Sequence, residues 1–298
     1  VLESYVRDLH KTVKEREMKT YYTAEEAMKR LELPRSTFHY LVRKGEIHKI
    51  ILPLRKKAVY SKQEVDKIAE EKARILAQLE TSPERIVFAI PNRADLEQLI
   101  EIEKVRYHEE TLFSPEVIES RMNHNPQNIH VLKDTQTGMV LGSITMSPLK
   151  RETLEKLIDL EIDDTKVPIE DYLPYIPGIT QDIYIMSIIA RPNFAEKYYA
   201  GKLLVAVFNL LTELLEQDVK IGKIYTVAVT KEGEKLAQNL GFSPLKTDWS
   251  GENENFRHSY VIDPANVVSK HKLIKMYQRH LKNLERRKKR YKKETNTK

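Results

Sequence analysis

Between residues 20 and 80 the apolar positions fall at helical spacing three times, with punctuation between the runs. Thr23 followed three residues later by Glu26 is a capping-box pattern, and Ala27, Met28 and Leu31 continue a helix from it. Glu32-Leu33-Pro34 interrupts that run, because proline disfavours helical geometry in the residue before it and itself opens a new helix well. The second helix is expected to reach about Lys44, with Phe38, Leu41 and Val42 inward and Gly45 as a left-handed stop. IHKII and AVY then read as two short β segments around the basic loop LPLRKK. Ser61 with Glu64 opens a third helix whose stripe of Val65, Ile68, Ala69, Ile75, Leu76 and Leu79 lasts to about Glu80. Its surplus length, with Leu2, Val6, Leu9 and Val13 at helical spacing near the start, suggests a homodimer surface.

Beyond Thr81-Ser82-Pro83 the pattern changes. RIVFAI reads as a strand, ADLEQLIEIEKVRY as an amphipathic helix, and Ser114-Pro115 caps and opens another helix. IHVLKD and MVLGSITMSPL form a hairpin around Thr135–Gly138. IYIMSIIARP, a helix from about Glu196 to Gln217, KIYTVAV, the helix KEGEKLAQNL and a closing Gly241-Phe242 strand follow. The expected order is β-α-α-β-β-β-α-β-α-β, an α+β fold with a mixed sheet covered by helices. Lys150 to Gln181 is a long insertion between hairpin and central strand, placed either to shape a substrate site or to meet a second copy. A last helix carries Leu273, Ile274, Tyr277, Leu281 and Leu284 on one face.

A chain of 298 residues suggests two domains, or one with an appendage. The boundaries expected are 1–80, 81–264 and a basic tail, 265–298. No apolar run is expected to cross a bilayer, the opening VLESYVRDLHK lacks a signal-peptide pattern, and a cytoplasmic location follows as the expectation. With no cysteine, disulfides and thiolate-metal sites are excluded. No zinc-ligand spacing, nucleophile triad or Walker loop occurs, so no metal is expected. The charge is concentrated at the ends. From Lys19 to Lys62 eleven Lys/Arg face four Glu, a net of +7, and Lys282 to Lys293 holds eight against one. Such blocks suit a phosphate backbone.

The segment YYTAEEAMKRLELPRSTFHYLVRKGEIHKIILPLRKKAVYSKQEVDKI resembles the winged helix-turn-helix of the MerR and excisionase-like superfamily. That resemblance implies binding of double-stranded DNA, with the second helix in the major groove and the wing on the flanking backbone. Carried over by position, Arg35, Ser36, Thr37, His39, Tyr40, Arg43 and Lys44 belong to the reading helix, and Arg55, Lys56 and Lys57 to the wing. The alternative for Tyr40 is a packed aromatic, and for His39 an exposed passenger.

Two further stretches, IIARPNFAEKYYAGKLL and VAVTKEGEKLAQNLGFSPL, resemble the GNAT acetyltransferase superfamily over about Arg85 to Pro264. The resemblance implies acetyl-CoA or another acyl-CoA as donor and a protein or small amine as acceptor. It implies that backbone at Ile188 and Ala190 aligns the pantetheine arm, and that a turn around Lys197, Tyr198, Ala200, Gly201 and Lys202 holds the pyrophosphate. In the family that turn reads Arg or Gln, two residues, Gly, one residue, Gly or Ala. Here Ala195, Tyr198 and Ala200 hold those positions, and only the last matches. The tyrosine that many relatives carry before Gly-Phe is Ala237 here. Asp182, just before IYIMSI, is the candidate general base, ahead of Glu170 and Asp171; Tyr225, Tyr199 or water would supply the proton to the departing thiolate. The expected function is a DNA-binding transcriptional regulator whose GNAT-like domain binds acyl-CoA or partners and is catalytically degenerate. The alternatives are an active N-acetyltransferase tethered to DNA, and an architectural or replication factor of a mobile element.

Overall fold

The structure, a computed structural model, describes residues 20–53, 56–107, 112–248 and 257–295. By its contacts the chain divides into two units, residues 1–86 with 191–199, and residues 87–190 with 200–298.

In the first unit, β1 (Tyr21–Thr23) leads into α1 (Ala24–Leu31), then α2 (Arg35–Arg43), β2 (Val59–Ser61) and α3 (Lys62–Thr81). The Thr23 capping box forms in full: the Glu26 amide donates to the Thr23 hydroxyl at 3.2 Å, and the Thr23 amide donates to the Glu26 carboxylate at 2.8 Å. Glu32 closes α1 in the left-handed region at φ 53°, and Gly45 does the same beyond α2 at φ 77°. Ala27, Leu31, Phe38, Leu41, Ile47, Tyr60 and Val65 make the core. The expected hairpin is reduced to one bridge, Ile50 to Val59, because β2 spends its other hydrogen bonds on β1, whose three residues carried no strand pattern. Ser61 caps α3, but Glu64 does not complete a box: its carboxylate bonds His48 Nδ1 at 2.5 Å. Leu2, Val6, Leu9 and Val13 lie outside the described residues.

The second unit is built on a seven-stranded sheet in the order β3-β4-β5-β6-β7-β9-β8. Its elements are β3 (Ile86–Ala89), α4 (Arg93–Glu103), α5 (Pro115–His124), β4 (Ile129–Asp134), β5 (Val140–Pro148), α6 (Arg151–Ile158), β6 (Thr180–Ala190), α7 (Glu196–Glu216), whose residues up to Tyr199 belong to the first unit, β7 (Lys220–Ala228), α8 (Lys231–Leu240), β8 (Ser243–Asp248), β9 (Arg257–Ile262) and α9 (Lys272–Thr295). One strand more than expected closes the sheet, with β9 inserted between β7 and β8. β6 and β7 run parallel, whereas β4, β5 and β6 form antiparallel neighbours. Gly142 of β5 lies under β6 so closely that a Cβ there would sit 2.7 Å from the Ile189 carbonyl oxygen.

Two apolar clusters cover the sheet around β6. One joins Leu96, Leu99 and Ile102 of α4 and Ile118 of α5 to Val131, Val140 and Ile189. The other joins Leu154 and Leu157 of α6, with Val167 and Tyr172 of the insertion, to Leu149 and Tyr184. The insertion is therefore part of the core of this unit. Helix α7 corrects one expectation: by length and composition it is apolar enough to cross a membrane. Leu203, Val207, Leu211 and Leu214 nevertheless face the protein interior. The stripe of α9 docks as expected, with Ile274 and Tyr277 buried.

Candidate functional site

The feature that organises the second unit is the way β6 parts from its neighbour. Pairing with β7 runs from Thr180↔Lys220 to Ile185↔Thr226 and goes no further, while β7 continues along β9 to Ala228. On its other edge β6 keeps β5 to Ala190, with an irregularity between the pairs Met146↔Ile185 and Thr145↔Ser187 that makes Met186 an extra residue. A bulge bends its strand and re-aims side chains. Residues 186–190 thus have one paired edge and one edge released from β7, with Ile188 and Ala190 both half-buried there.

Polar and aromatic groups from four segments meet at that bulge. Tyr107, just after α4, places its hydroxyl 3.4 Å from Ser187 Oγ. Arg121 of α5 is buried, its guanidinium 3.7 Å from the Phe113 ring centre and 4.8 Å from that of Tyr172. Its Nη1 lies 3.7 Å from Met186 Sδ, and the Tyr172 hydroxyl lies 3.8 Å from the same sulfur. Asp164, from the insertion, accepts the Tyr184 hydroxyl at 2.8 Å, and its backbone carbonyl is 3.4 Å from Arg121 Nη2. Glu103 ends α4 almost fully buried, within the field of Arg121.

Burial dominates the electrostatics. It pushes the Glu103 carboxyl up to about 7, against the smaller opposing pull of Arg121. It pushes Asp164 up to about 6, opposed by the Tyr184 hydrogen bond and by Arg121. Asp164 keeps some surface as a residue; the enclosed part is the carboxyl end against Tyr184. Tyr107, Tyr172 and Tyr184 are all raised by desolvation, so each stays a neutral phenol. Arg121 is lowered by the same cause. A carboxyl group poised near neutrality beside protonated phenols is suited to taking up and returning protons.

The residues singled out from sequence sit differently. Asp182 is exposed and accepts the Lys223 amide at 2.7 Å, which makes it a cap on the irregular start of the β6–β7 pairing. Tyr225 pairs with Tyr184 across the sheet and packs with Met186 beside the α6 cluster, its hydroxyl raised by burial and by Asp182. Asp171 is held by Lys150 at 2.7 Å and by the Thr153 hydroxyl at 2.5 Å, and Glu170 is exposed. Ala237 is buried in α8. At the turn before α7, the Ala195 amide donates to Asn193 Oδ1 at 2.8 Å and the Glu196 amide to the Asn193 carbonyl at 3.2 Å. Those two amides are consumed inside the turn. Tyr198 and Lys202 are half-buried there, Lys197 and Gly201 exposed, and Ala200 half-buried. The released edge of β6 therefore fits a pantetheine arm, and in the turn the Ala195 and Glu196 amides are already engaged by Asn193.

In the first unit, Arg35, Ser36, Arg43 and Lys44 are exposed on α2, with Lys56 and Lys57 exposed beyond it. His39 and Tyr40 are half-buried, and the Lys44 ammonium lies 5.1 Å from the centre of the Tyr40 ring. Thr37 is the exception. It is fully buried, and its hydroxyl donates to the Glu196 carboxylate within the same unit, so in this conformation it faces away from any DNA edge. Its position four residues before the buried Leu41, on the same face of the helix, is the reason. Arg55 lies outside the described residues.

Sequence reasoning missed Glu103, Tyr107, Arg121 and Asp164. Two of them carried a signal: Glu103 falls seven residues after Leu96 and four after Leu99, and Arg121 three after Ile118, each in phase with the buried stripe of its helix. Asp164 carried none, being placed by the path of the insertion.

No family model matches the sequence, and no curated protein matches it. Among solved structures, Ard1 from Thermoplasma volcanium is similar over 60% of this chain and 97% of its own, at 13% identity and a TM-score of 0.41. The loading GNATL domain of CurA from Lyngbya majuscula is similar over 60% and 97%, at 17% identity and a TM-score of 0.45. Arabidopsis thaliana NAA60, in complex with acetyl-CoA, is similar over 60% and 99%, at 15% identity and a TM-score of 0.41.

Proposed function

We propose that the second unit is a GNAT-type N-acyltransferase and that the first unit carries it to double-stranded DNA. The observation that supports catalysis over a degenerate fold is Glu103, a buried carboxyl raised to about 7 in the cluster at the β6 bulge. Burying a carboxyl costs stability, and a group whose pKa is raised toward neutrality at a cleft of polar side chains suits proton transfer.

When bound, acyl-CoA supplies a thioester already activated toward an amine. The backbone of Ile188 and Ala190, on the released edge of β6, would align the pantetheine arm. Glu103 takes the proton from the incoming ammonium, a task for which a pKa near the working pH is suited. Tyr107, kept neutral by burial and set against Ser187, holds a proton for the departing sulfur, which answers the missing tyrosine at Ala237. Asp164 and Tyr184 hold one another and fix the floor of the site.

Calorimetry with acetyl-CoA tests donor binding, and acetyl transfer to a panel of amines tests turnover. Glu103→Gln should lower kcat/KM by about 100-fold or more, the usual worth of a general base. A protein that binds acetyl-CoA and transfers nothing would return the unit to a sensing role, whereas a Glu103→Gln variant with full turnover would remove Glu103 as the base. The DNA half rests on the exposed cations of α2 and of the segment after it; selection of bound fragments from a random pool tests it.

A further inference from the structure

Arg121 is a buried cation whose hydrogen-bonding needs the described residues do not fully meet. The Phe113 and Tyr172 rings lie against it, 3.7 and 4.8 Å from the guanidinium carbon to the ring centres. Nη1 has a thioether at 3.7 Å, a weak acceptor, and Nη2 has a carbonyl at a long 3.4 Å. Its Nε is buried with no hydrogen-bond partner among the described residues. No carboxylate there comes within ion-pair distance of it. Buried guanidinium groups are as a rule paired and hydrogen-bonded, because an unpaired charge in a poorly polarisable site is costly.

The Nε–H and the adjoining Nη2–H form one fork, the geometry that takes a carboxylate through two parallel hydrogen bonds. The two rings beside it limit how that fork can turn. The neighbouring ionisable groups are Glu103, Asp164 and Tyr172. Two carboxyl groups beside it disfavour a phosphate dianion, and a single fork matches a single carboxylate. Glu103 feels the Arg121 charge directly.

We propose that Arg121 is the specificity residue for the acceptor: it holds the carboxylate of an amino-acid-type amine while Glu103 meets the nitrogen. This rests on the acyltransferase reading and names its substrate class. The bound carboxylate takes Nη2 from the distant Asp164 carbonyl and satisfies Nε, while Nη1 keeps the Met186 thioether.

The test uses the full chain and needs no turnover. N-acetylglycine, N-acetyl-L-alanine and N-acetyl-L-phenylalanine, the products of the proposed reaction, are titrated calorimetrically beside their primary amides. At least one acid should bind ten-fold or more tighter than its amide. Arg121→Gln should erase that preference, while Arg121→Lys, which keeps the charge without the fork, retains part of it. Should Arg121→Gln fail to fold, the acid-against-amide comparison in the unaltered protein decides alone. Equal binding of all three pairs, absence of binding by every acid, or a preference that survives Arg121→Gln overturns the proposal. Acetyl-CoA is titrated into the same protein. Donor binding without acid preference sinks the carboxylate anchor alone, whereas no donor binding sinks the acyltransferase reading while leaving an acid preference, if seen, as evidence for an anion site.

Discussion

Replacing Glu103 by glutamine should change how stability depends on pH, with a sign fixed by the burial of the carboxyl. In the folded protein the group holds its proton up to about pH 7, whereas in the unfolded chain it releases it near 4.5. Folding therefore takes up a proton between those values, and Glu103 makes stability fall as pH rises through that window. Below the window both states are protonated and the residue contributes nothing; above it the cost is constant. A displacement from 4.5 to about 7 corresponds to roughly 3 kcal/mol at 1.36 kcal/mol per unit. Glutamine resembles the protonated form at every pH. Glu103→Gln should thus match the parent near pH 4 and exceed it by up to roughly 3 kcal/mol near pH 8, with the gain accumulating between. Asp164, raised in the same direction, is present in both proteins and cancels in the difference. Urea unfolding followed by circular dichroism across pH 4 to 8 measures the difference directly. A difference that stays flat with pH, or grows toward acid, would mean that the carboxyl is not held in its neutral form, and the general-base role would fall with it.

Other expectations follow from single contacts. Asp182→Asn should keep kcat/KM within about two-fold, because an amide oxygen can still accept the Lys223 amide; a ten-fold loss would restore Asp182 as the base. Gly142→Ala should cost about 1 to 3 kcal/mol in a thermal melt, since the new methyl meets the Ile189 carbonyl oxygen and the Ala190 Cα, backbone atoms that cannot turn aside; an unchanged melt would refute that close approach. Thr37→Val should destabilise the first unit by about 1 to 3 kcal/mol through loss of the hydrogen bond to Glu196 and leave a DNA footprint in place, whereas lost footprint at unchanged stability would make Thr37 a reading residue. Arg35→Ala and Arg43→Ala should each weaken specific DNA binding by ~1 to 3 kcal/mol, and Lys56→Ala with Lys57→Ala should mainly reduce its salt dependence; four unaltered binding isotherms would remove α2 as the reading helix.

Much of the architecture was legible because it is specified locally. The capping pair at Thr23, the Pro34 start, the left-handed Gly45, and the Ser114 cap each announce an element within four residues, and each appears where expected. What failed was pairing between distant residues. Tyr21–Thr23 is a strand only because Val59–Ser61 lies beside it, and the last two strands exchange their order in the sheet through residues far apart in sequence. Glu64 shows the same competition on a small scale. Its spacing from Ser61 predicts a reciprocal cap, but His48, sixteen residues away, takes the carboxylate instead.

The site divides along the same line, with one instructive difference. Asp182 drew attention as an acid beside the central strand, and that proximity in sequence misled: the strand end is wet, and the carboxylate caps Lys223. Glu103 and Arg121 lie in apolar stretches that look like ordinary core helices, yet each occupies a position at which the stripe calls for leucine or isoleucine. An ionisable side chain in phase with a buried stripe cannot snorkel to water from a short helix against a sheet, so the fold must either neutralise it or match it. Glu103 is neutralised through a raised pKa, whereas Arg121, which cannot lose its proton in practice, is matched only in part by rings, a thioether and a distant carbonyl. The two anomalies thus have different physical resolutions at one place, the first giving a carboxyl raised to about 7 and the second a cation with no ion pair among the described residues. A chain selected for stability alone would have filled both positions with aliphatic residues, and that retained mismatch is the observation on which the proposed carboxylate anchor rests.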